Sequence, residues 1–241
     1  MQKVIALDGP SASGKGTIAA RVAAALGWAY LDSGALYRLT ALHAQNHNID
    51  WANEAAVAAL AAELPAEFRG QTVWLDGQDV TQAIRSERIG MGASAVAKLP
   101  AVRQALLQRQ RNFLTAQGLV ADGRDMGSTV FPEAQLKIFL TASAQIRAER
   151  RAKQIGVPLD GAAFAQILAD IQARDAADRS RPVAPLQQLP DAKLLDATAQ
   201  RQRQPETQFD NAQASIHRQR VLPLFTKILA PISHYPFSGC P

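Results

Sequence analysis

Gly9-Pro10-Ser11-Ala12-Ser13-Gly14-Lys15-Gly16-Thr17 is the stretch that decides the fold. Before it stands a short apolar run, Lys3-Val4-Ile5-Ala6-Leu7-Asp8, which has the character of a buried strand. After it, Thr17 to Leu26 is Ala-rich, with apolar residues at Ile18, Val22 and Leu26 and a glycine, Gly27, where a helix C-cap belongs. Strand, glycine loop and helix open a parallel α/β fold. The loop matches G-x-x-x-x-G-K with the hydroxyl residue displaced by one. Glycines let backbone N–H groups face a concave nest, and the helix start adds positive potential, so the loop suits a chain of phosphates. Lys15 can reach the β- and γ-phosphates, and Thr17 or Ser13 can offer a hydroxyl near Mg2+. A Gly/Ser turn before an ordinary helix lacks this pattern of contexts.

Phosphate loops serve GTPases, motors and small-molecule kinases. A GTPase needs an Asn/Thr-Lys-x-Asp segment to read its base, and the sequence has none. A motor is usually longer than 241 residues. The Gly-Lys-Gly-Thr ending leans toward small-molecule kinases.

Composition bounds the rest. With 47% apolar residues the chain can bury a core, and its single cysteine, Cys240, excludes a disulfide framework or a multi-cysteine metal site. No resident metal ligands are assigned. There is no apolar run of membrane-spanning length and no signal-like segment at Met1, so a soluble cytoplasmic protein is expected. The net charge is +5 and the sequence pI is near 9.7, which leaves nucleic acid, membrane surface and phosphorylated small molecules open. The charge is uneven. Residues 1–198 hold 21 Lys+Arg and 19 Asp+Glu, while residues 199–241 hold five and two. More than half of the excess is therefore in the tail, and the pI is a poor sign of nucleic-acid binding.

Further strands are expected at Trp28–Leu31, Leu119–Ala121, Lys137–Leu140 and Lys193–Leu195, with helices between them, notably Pro100–Ala116 behind an initial proline. Residues 50–95 break the alternation. A helix over Asn53–Ala62 gives way to Gln71–Leu75, Gly77 and Asp79–Ile84, a small helix-plus-hairpin insert. Residues 148–181 are helical and Arg-rich, broken at Gly156–Gly161. The tail after Thr198 carries six Gln, five Pro and four Arg without a helical period. Its character suggests disorder or a shifted reading frame.

Three charged clusters accompany the loop. Asp32-Ser33-Gly34-Ala35-Leu36-Tyr37-Arg38 follows the second strand, at the carboxyl end of the sheet where such folds bind ligands. Arg38 there faces a second anion, or is a solvated helix arginine. Asp122-Gly123-Arg124-Asp125-Met126-Gly127 follows another apolar run, placing Asp122 to orient Mg2+ water and Arg124 and Asp125 in the same crevice, unless the charges only pair with each other. Phe164, Ile167, Leu168 and Ile171 form a helical apolar stripe that continues through Arg174, Asp178 and Arg181. These charges share the buried face, so they either face a cleft or form plain intrahelical pairs. Arg147, Arg150 and Arg151 stand just before, in the position of a mobile lid. Two anions ringed by arginines are what phosphoryl transfer between nucleotides requires. A phosphate acceptor is already an oxyanion and needs no general base. None of the motifs contains histidine, and His43, His47, His217 and His234 are all expected at the surface.

The chain resembles the bacterial-type cytidylate kinases, a group of nucleoside-monophosphate kinases, from about residue 3 to 198. The resemblance rests on Asp8–Thr17, Leu31–Arg38, Pro100–Leu107, Ala121–Gly127, Arg174–Leu186 and Leu195–Thr198. It implies an α/β P-loop NTPase fold with a parallel five-stranded sheet flanked by helices. Residues 1–198 then form the kinase domain, with a monophosphate-binding insert at about 39–96 and a helical lid at about 147–182, and 199–241 form an atypical tail. It implies transfer from ATP to CMP or dCMP with Mg2+, by a monomer that binds small nucleotides and neither nucleic acid nor membrane. Carried over by motif, Gly9, Pro10, Ser11, Ala12, Ser13, Gly14, Lys15, Gly16 and Thr17 hold the ATP phosphates, with Lys15 on the transferring group. Arg38 and Arg124 hold the acceptor phosphate, helped by Arg181. Lys15, Arg124 and Arg181 are the expected catalytic residues. Ser94, Arg103 and Asp125 read the cytosine edge, and Ser33, Arg174 and Asp178 lie near the sugar and phosphate. Arg150, Arg151 and Arg179 fall in the lid. A kinase for another monophosphate or a cofactor precursor remains the alternative enzyme, and a nucleotide- or RNA-binding protein without catalysis the alternative class.

Overall fold

The structure, a computed structural model, describes residues 2–70 and 72–198. The tail at 199–241, with His217, His234 and Cys240, lies outside the described residues, as does Gln71 at the start of the expected hairpin. The described chain builds one five-stranded sheet in the order β2-β6-β1-β7-β8 and a separate three-stranded sheet, β3-β4-β5.

The large sheet is parallel throughout. Its central strand β1 (Gln2–Asp8) has β6 (Leu119–Gly123) on one side and β7 (Ala134–Thr141) on the other. The edges are β2 (Ala29–Asp32) and β8 (Lys193–Asp196). Alternation along β1 sends Val4 and Ala6 to one face and Ile5 and Leu7 to the other, and both faces are covered. The face of Ile5 and Leu7 packs on Ile18, Ala19, Val22 and Ala23 of α1 (Lys15–Leu26). The opposite face packs on Leu36 and Leu39 of α2 (Ser33–Asn46) and on Val102 and Leu106 of α5 (Pro100–Arg111). Gly27 ends α1 in the left-handed conformation at φ 65°, as its sequence position led one to expect.

Between α2 and α5 lie α3 (Glu54–Ala62), the small antiparallel sheet and α4 (Glu87–Val96). The sheet has one strand more than the sequence suggested. β3 (Ala66–Arg69) pairs with β4 (Thr72–Leu75), and β4 pairs with β5 (Gln78–Asp79). The expected strand over Asp79–Ile84 stops at Asp79 and gives way to a single 3-10 turn, Ala83–Arg85, with Ile84 buried. The helix expected over Pro100–Ala116 ends at Arg111. The boundary expected at residue 39 falls inside α2.

The Arg-rich region is a helical pair, α6 (Ala144–Gln154) and α7 (Gly161–Ser180), with its own small core of Ala148, Ala152, Phe164 and Ile171. Arg181 does not lie on α7. It follows the last helical residue with extended backbone, φ −58° and ψ 133°. His43 is also unlike its expectation: it is 6% exposed, on the inner side of α2, with Nδ1 3.2 Å from an Asp76 carboxylate oxygen. His47, one turn later, is exposed as expected.

Candidate active site

The turn from β1 to α1 carries the phosphate loop. Gly9 is a steric requirement, since a Cβ there would overlap the Leu140 carbonyl oxygen of β7. Ala12 and Gly14 adopt left-handed backbone at φ 56° and 91°, which curls the loop. Gly16 packs against the Asp122 carboxylate: a Cβ there would lie 3.0 Å from Oδ2. Lys15 folds back over the loop and donates to the Pro10 carbonyl at 3.3 Å. Burial and the neighbouring Arg124 push its ammonium down to about 8, while Asp122, Asp32 and Asp178 work the other way. It therefore stays a cation at neutral pH, held close to neutralisation. Asp122 is 4% exposed and takes a hydrogen bond from the Tyr30 hydroxyl at 3.3 Å. Burial and the adjacent Asp32 push its carboxyl up to about 7. Ser13 is buried, and its hydroxyl has no partner among the described residues.

Beside the loop, the carboxyl ends of β2 and β6 bring the acidic and basic motif residues together. Asp32 caps α2 by accepting from the Ala35 N–H at 3.0 Å. Ser33, the first residue of that helix, is buried against Gly123. Arg38 donates to the Ile84 carbonyl at 2.8 Å and turns toward Arg174 near Gly90. Arg124 donates to Asp178 at 2.7 Å, so Asp178 pairs across to the β6 loop and not along α7. Asp125 and Arg103 form a short buried pair, with side chains 5% and 8% exposed. The Arg103 guanidinium stands over the Tyr37 ring at 5.8 Å. Burial raises the Asp125 carboxyl, and Arg103 pulls it back down. Arg181 approaches this pair at 8% exposure; it donates to the Ala184 carbonyl, and its Nε has no partner among the described residues. Ser94, two turns into α4, bonds its own helix at the Gly90 carbonyl, 3.1 Å away. Arg174 leaves α7 for Glu87 of α4.

The set is thus a row. Lys15 and Asp122 stand at the phosphate loop, Arg124–Asp178 come next, and Arg103–Asp125–Arg181 form a buried polar floor beyond. A family model described as cytidylate kinase matches residues 5–204. The chain belongs to the cytidylate kinase family. Its relatives include the cytidylate kinase of Neisseria meningitidis (serogroup C / serotype 2a), 68% identical over 197 residues that cover 82% of this chain and 90% of that one. The cytidylate kinase of Chromobacterium violaceum is 64% identical over 195 residues, covering 81% and 88%. That of Pseudomonas syringae pv. tomato is 56% identical over 201 residues, with the same coverage. The family match extends past Thr198 as far as residue 204, a little further than the resemblance seen by motif.

The motifs did not mark Asp8, Arg147, Arg150 and Asp175 as supports of the phosphate loop. Asp8, at the end of β1, is 7% exposed and accepts from the Met126 and Gly127 N–H groups, each at 2.8 Å. It braces the phosphate loop against the segment that carries Arg124 and Asp125. Burial pushes its carboxyl up to about 6, although the two N–H bonds oppose this. Arg147, in the stretch expected as a lid, is 2% exposed. It donates to the Ala142 carbonyl (2.9 Å), the Ser11 carbonyl of the phosphate loop (3.1 Å) and Asp175 of α7 (2.9 Å to Oδ1). Arg150 donates to the Ser13 carbonyl at 3.2 Å. The signal for Asp175 was available. It lies four residues after Ile171 on the apolar stripe, but the stripe was continued through Arg174 instead. A cavity of about 520 Å³ opens beside this pair, lined by Thr141, Ser143, Arg147, Asp175, Arg179 and Thr198 among others.

Proposed function

We propose that this chain transfers the γ-phosphoryl group of ATP to CMP or dCMP, giving ADP and CDP or dCDP. It is an ATP-dependent nucleoside-monophosphate kinase of the cytidylate kinase family. The observation that carries the choice of acceptor is the buried Arg103–Asp125 pair with the free Arg181 Nε beside it. A pyrimidine bearing an exocyclic amine offers a donor to the carboxylate and acceptors to the guanidinium. A uracil carbonyl at the same place would face a carboxylate, leaving both unpaired.

In this reading the donor phosphates lie in the loop from Gly9 to Thr17, and the cavity between β7, β8 and α7 takes the donor's base and sugar. The acceptor phosphate meets Arg38 and Arg124, with Arg181 helping and Ser33, Arg174 and Asp178 near the sugar; Ser94 joins Arg103 and Asp125 at the base. Lys15, Arg124 and Arg181 bear on the transferring group. Because charge spreads over its three equatorial oxygens, fixed cations aimed at them do most of the catalysis. The acceptor attacks as an oxyanion, and no proton need be removed. Residues 39–96 act as the acceptor-binding insert and 147–182 as the lid, while 199–241 have no part in the chemistry.

The residues beside Lys15 suit Mg2+. The unpartnered Ser13 hydroxyl, the Thr17 hydroxyl and the Asp122 carboxylate make an all-oxygen set for a hard cation that keeps most of its water. Bound there with ATP, the ion would neutralise charge between the β- and γ-phosphates. We take the enzyme to be a cytoplasmic monomer; no described helix is long and apolar enough to cross a membrane.

Coupled ADP-release rates with CMP, dCMP, UMP and AMP test the reading. CMP or dCMP is expected to give the highest kcat/KM. AMP as the best acceptor would overturn the base assignment.

A further inference from the structure

The acceptor motifs leave Glu87 without a role, yet it sits where three parts of the chain meet. It is the first residue of α4, where a carboxylate suits the positive helix end. Its side chain turns away from the helix. One carboxylate oxygen accepts from Arg174 of α7, and the other accepts from Arg151 of α6 at 3.2 Å. Arg38 of α2 belongs to the same cluster. Its guanidinium and that of Arg174 approach one point beside Gly90, to 3.2 and 3.5 Å. Burial and Arg174 both weaken Arg38's hold on its proton, while Asp32 and then Glu87 strengthen it. Two guanidiniums therefore share the Glu87 carboxylate, with Arg38 beside one of them.

The position of Glu87 in the fold gives the contact its meaning. Seven residues along α4, two turns away, stands Ser94. On the same helix as Arg151, Arg147 one turn back and the adjacent Arg150 donate to the Ser11 and Ser13 carbonyls of the phosphate loop. Glu87 thus joins the helix on the acceptor side to the helical pair that grips the donor loop. Its side chain is 51% exposed, and ion pairs that wet add little to global stability. What it supplies is geometry.

The geometry points to Glu87 as a positioning residue for the acceptor: it holds Arg174 in place beside Arg38 and ties α6 and α7 to α4. This rests on the proposed reading in which Arg38 and Arg174 meet the acceptor's phosphate and sugar. Without the carboxylate, Arg174 is a long side chain next to two like charges and turns out to solvent. The acceptor must then order it on binding, and affinity falls by that amount. Glu87's own charge acts in the opposite sense, because it repels the acceptor's phosphate. Water screens that charge at half exposure, whereas Arg174 is only 25% exposed, so the positioning effect wins.

Glu87→Ala and Glu87→Gln separate the two effects in steady-state assays run beside the wild type. Glu87→Ala is expected to raise KM for CMP about five- to tenfold, with KM for ATP, kcat and the melting temperature little changed. Glu87→Gln keeps an acceptor oxygen for Arg174 and is expected to stay within about threefold of wild type. An unchanged or lower KM for CMP in Glu87→Ala overturns the inference, and so does an equal rise for both substrates. The wild type is also run with UMP and AMP. If CMP is a poor acceptor for the wild type, the acceptor reading itself fails and the role of Glu87 falls with it.

Discussion

Arg147→Met cuts the deepest support of the phosphate loop while keeping the side chain's length. Arg147 and Asp175 are 2% and 7% exposed, and two guanidinium nitrogens meet the two carboxylate oxygens. The variant leaves Asp175 charged and buried without a counter-ion, which costs about 3–5 kcal/mol. The Ser11 and Ala142 carbonyls lose a charged donor as well. The total of about 4 kcal/mol is a large share of the 5–15 kcal/mol that holds a typical domain. Replacing both partners, Arg147→Met with Asp175→Leu, removes the stranded charge and recovers most of that loss, because an apolar pair of similar volume is no worse than the ion pair. The Ser11 carbonyl stays unpaired in both variants, so KM for ATP should rise several-fold in the double variant even though stability returns. Urea unfolding followed by circular dichroism gives the first quantity and steady-state kinetics the second. A loss below about 1 kcal/mol in the single variant would refute the buried-pair reasoning. Normal ATP affinity in the double variant would refute the link to the loop.

Lys15→Ala is expected to lower kcat at least about a hundredfold with the fold intact, since the proposed function puts Lys15 on the transferring group; near-normal turnover would sink the phosphate-loop assignment. Asp8 offers a pH test. Its folded-state value of about 6 is raised above the ordinary 3.8, so the native state holds this proton more tightly than the unfolded chain. Its contribution to stability is full below 3.8 and is lost as the pH rises through about 6. From pH 7 to pH 5 the wild type should gain on the order of 1 kcal/mol relative to Asp8→Asn, measured as the change in their difference by urea unfolding. A difference that stays constant over that range would show that Asp8 does not titrate there.

Contiguous features were legible before any coordinates. β1, the phosphate loop and α1 follow one another in the chain, and each announces itself through a local cause: apolar run, glycines, helical period, C-cap. Strands β2, β6 and β7 were placed within a few residues because parallel strands covered on both faces are short and apolar, and the exposed edge strand β8 was placed from the short apolar pair Leu194–Leu195. β3 was missed since Ala66–Arg69 alternates half-buried and exposed residues over only four positions, too short a run to stand out. His43 looked like a surface residue because it lies among polar neighbours, Gln45 to Asn48; burial came from the packing of α2, which no window of sequence contains.

By itself, the sequence determined the class of fold and the types of residue at the site. Both follow from short-range rules: a glycine loop between strand and helix binds phosphates wherever it occurs, and the strand ends collect the motifs that follow it. Tertiary structure decided which charges meet. Asp178 could have paired along α7 with Arg174 or Arg181, and it reaches Arg124. Arg147 could have been a free lid cation, and it is buried on Asp175 and the phosphate loop. Glu87 looked like an ordinary first-turn carboxylate, and it holds two arginines from distant helices. A long side chain has many partners within reach of its own helix, each contributing only about 0.2–0.5 kcal/mol. Burial against another element makes one pairing far more favourable, and that depends on how α6 and α7 pack against the rest of the molecule.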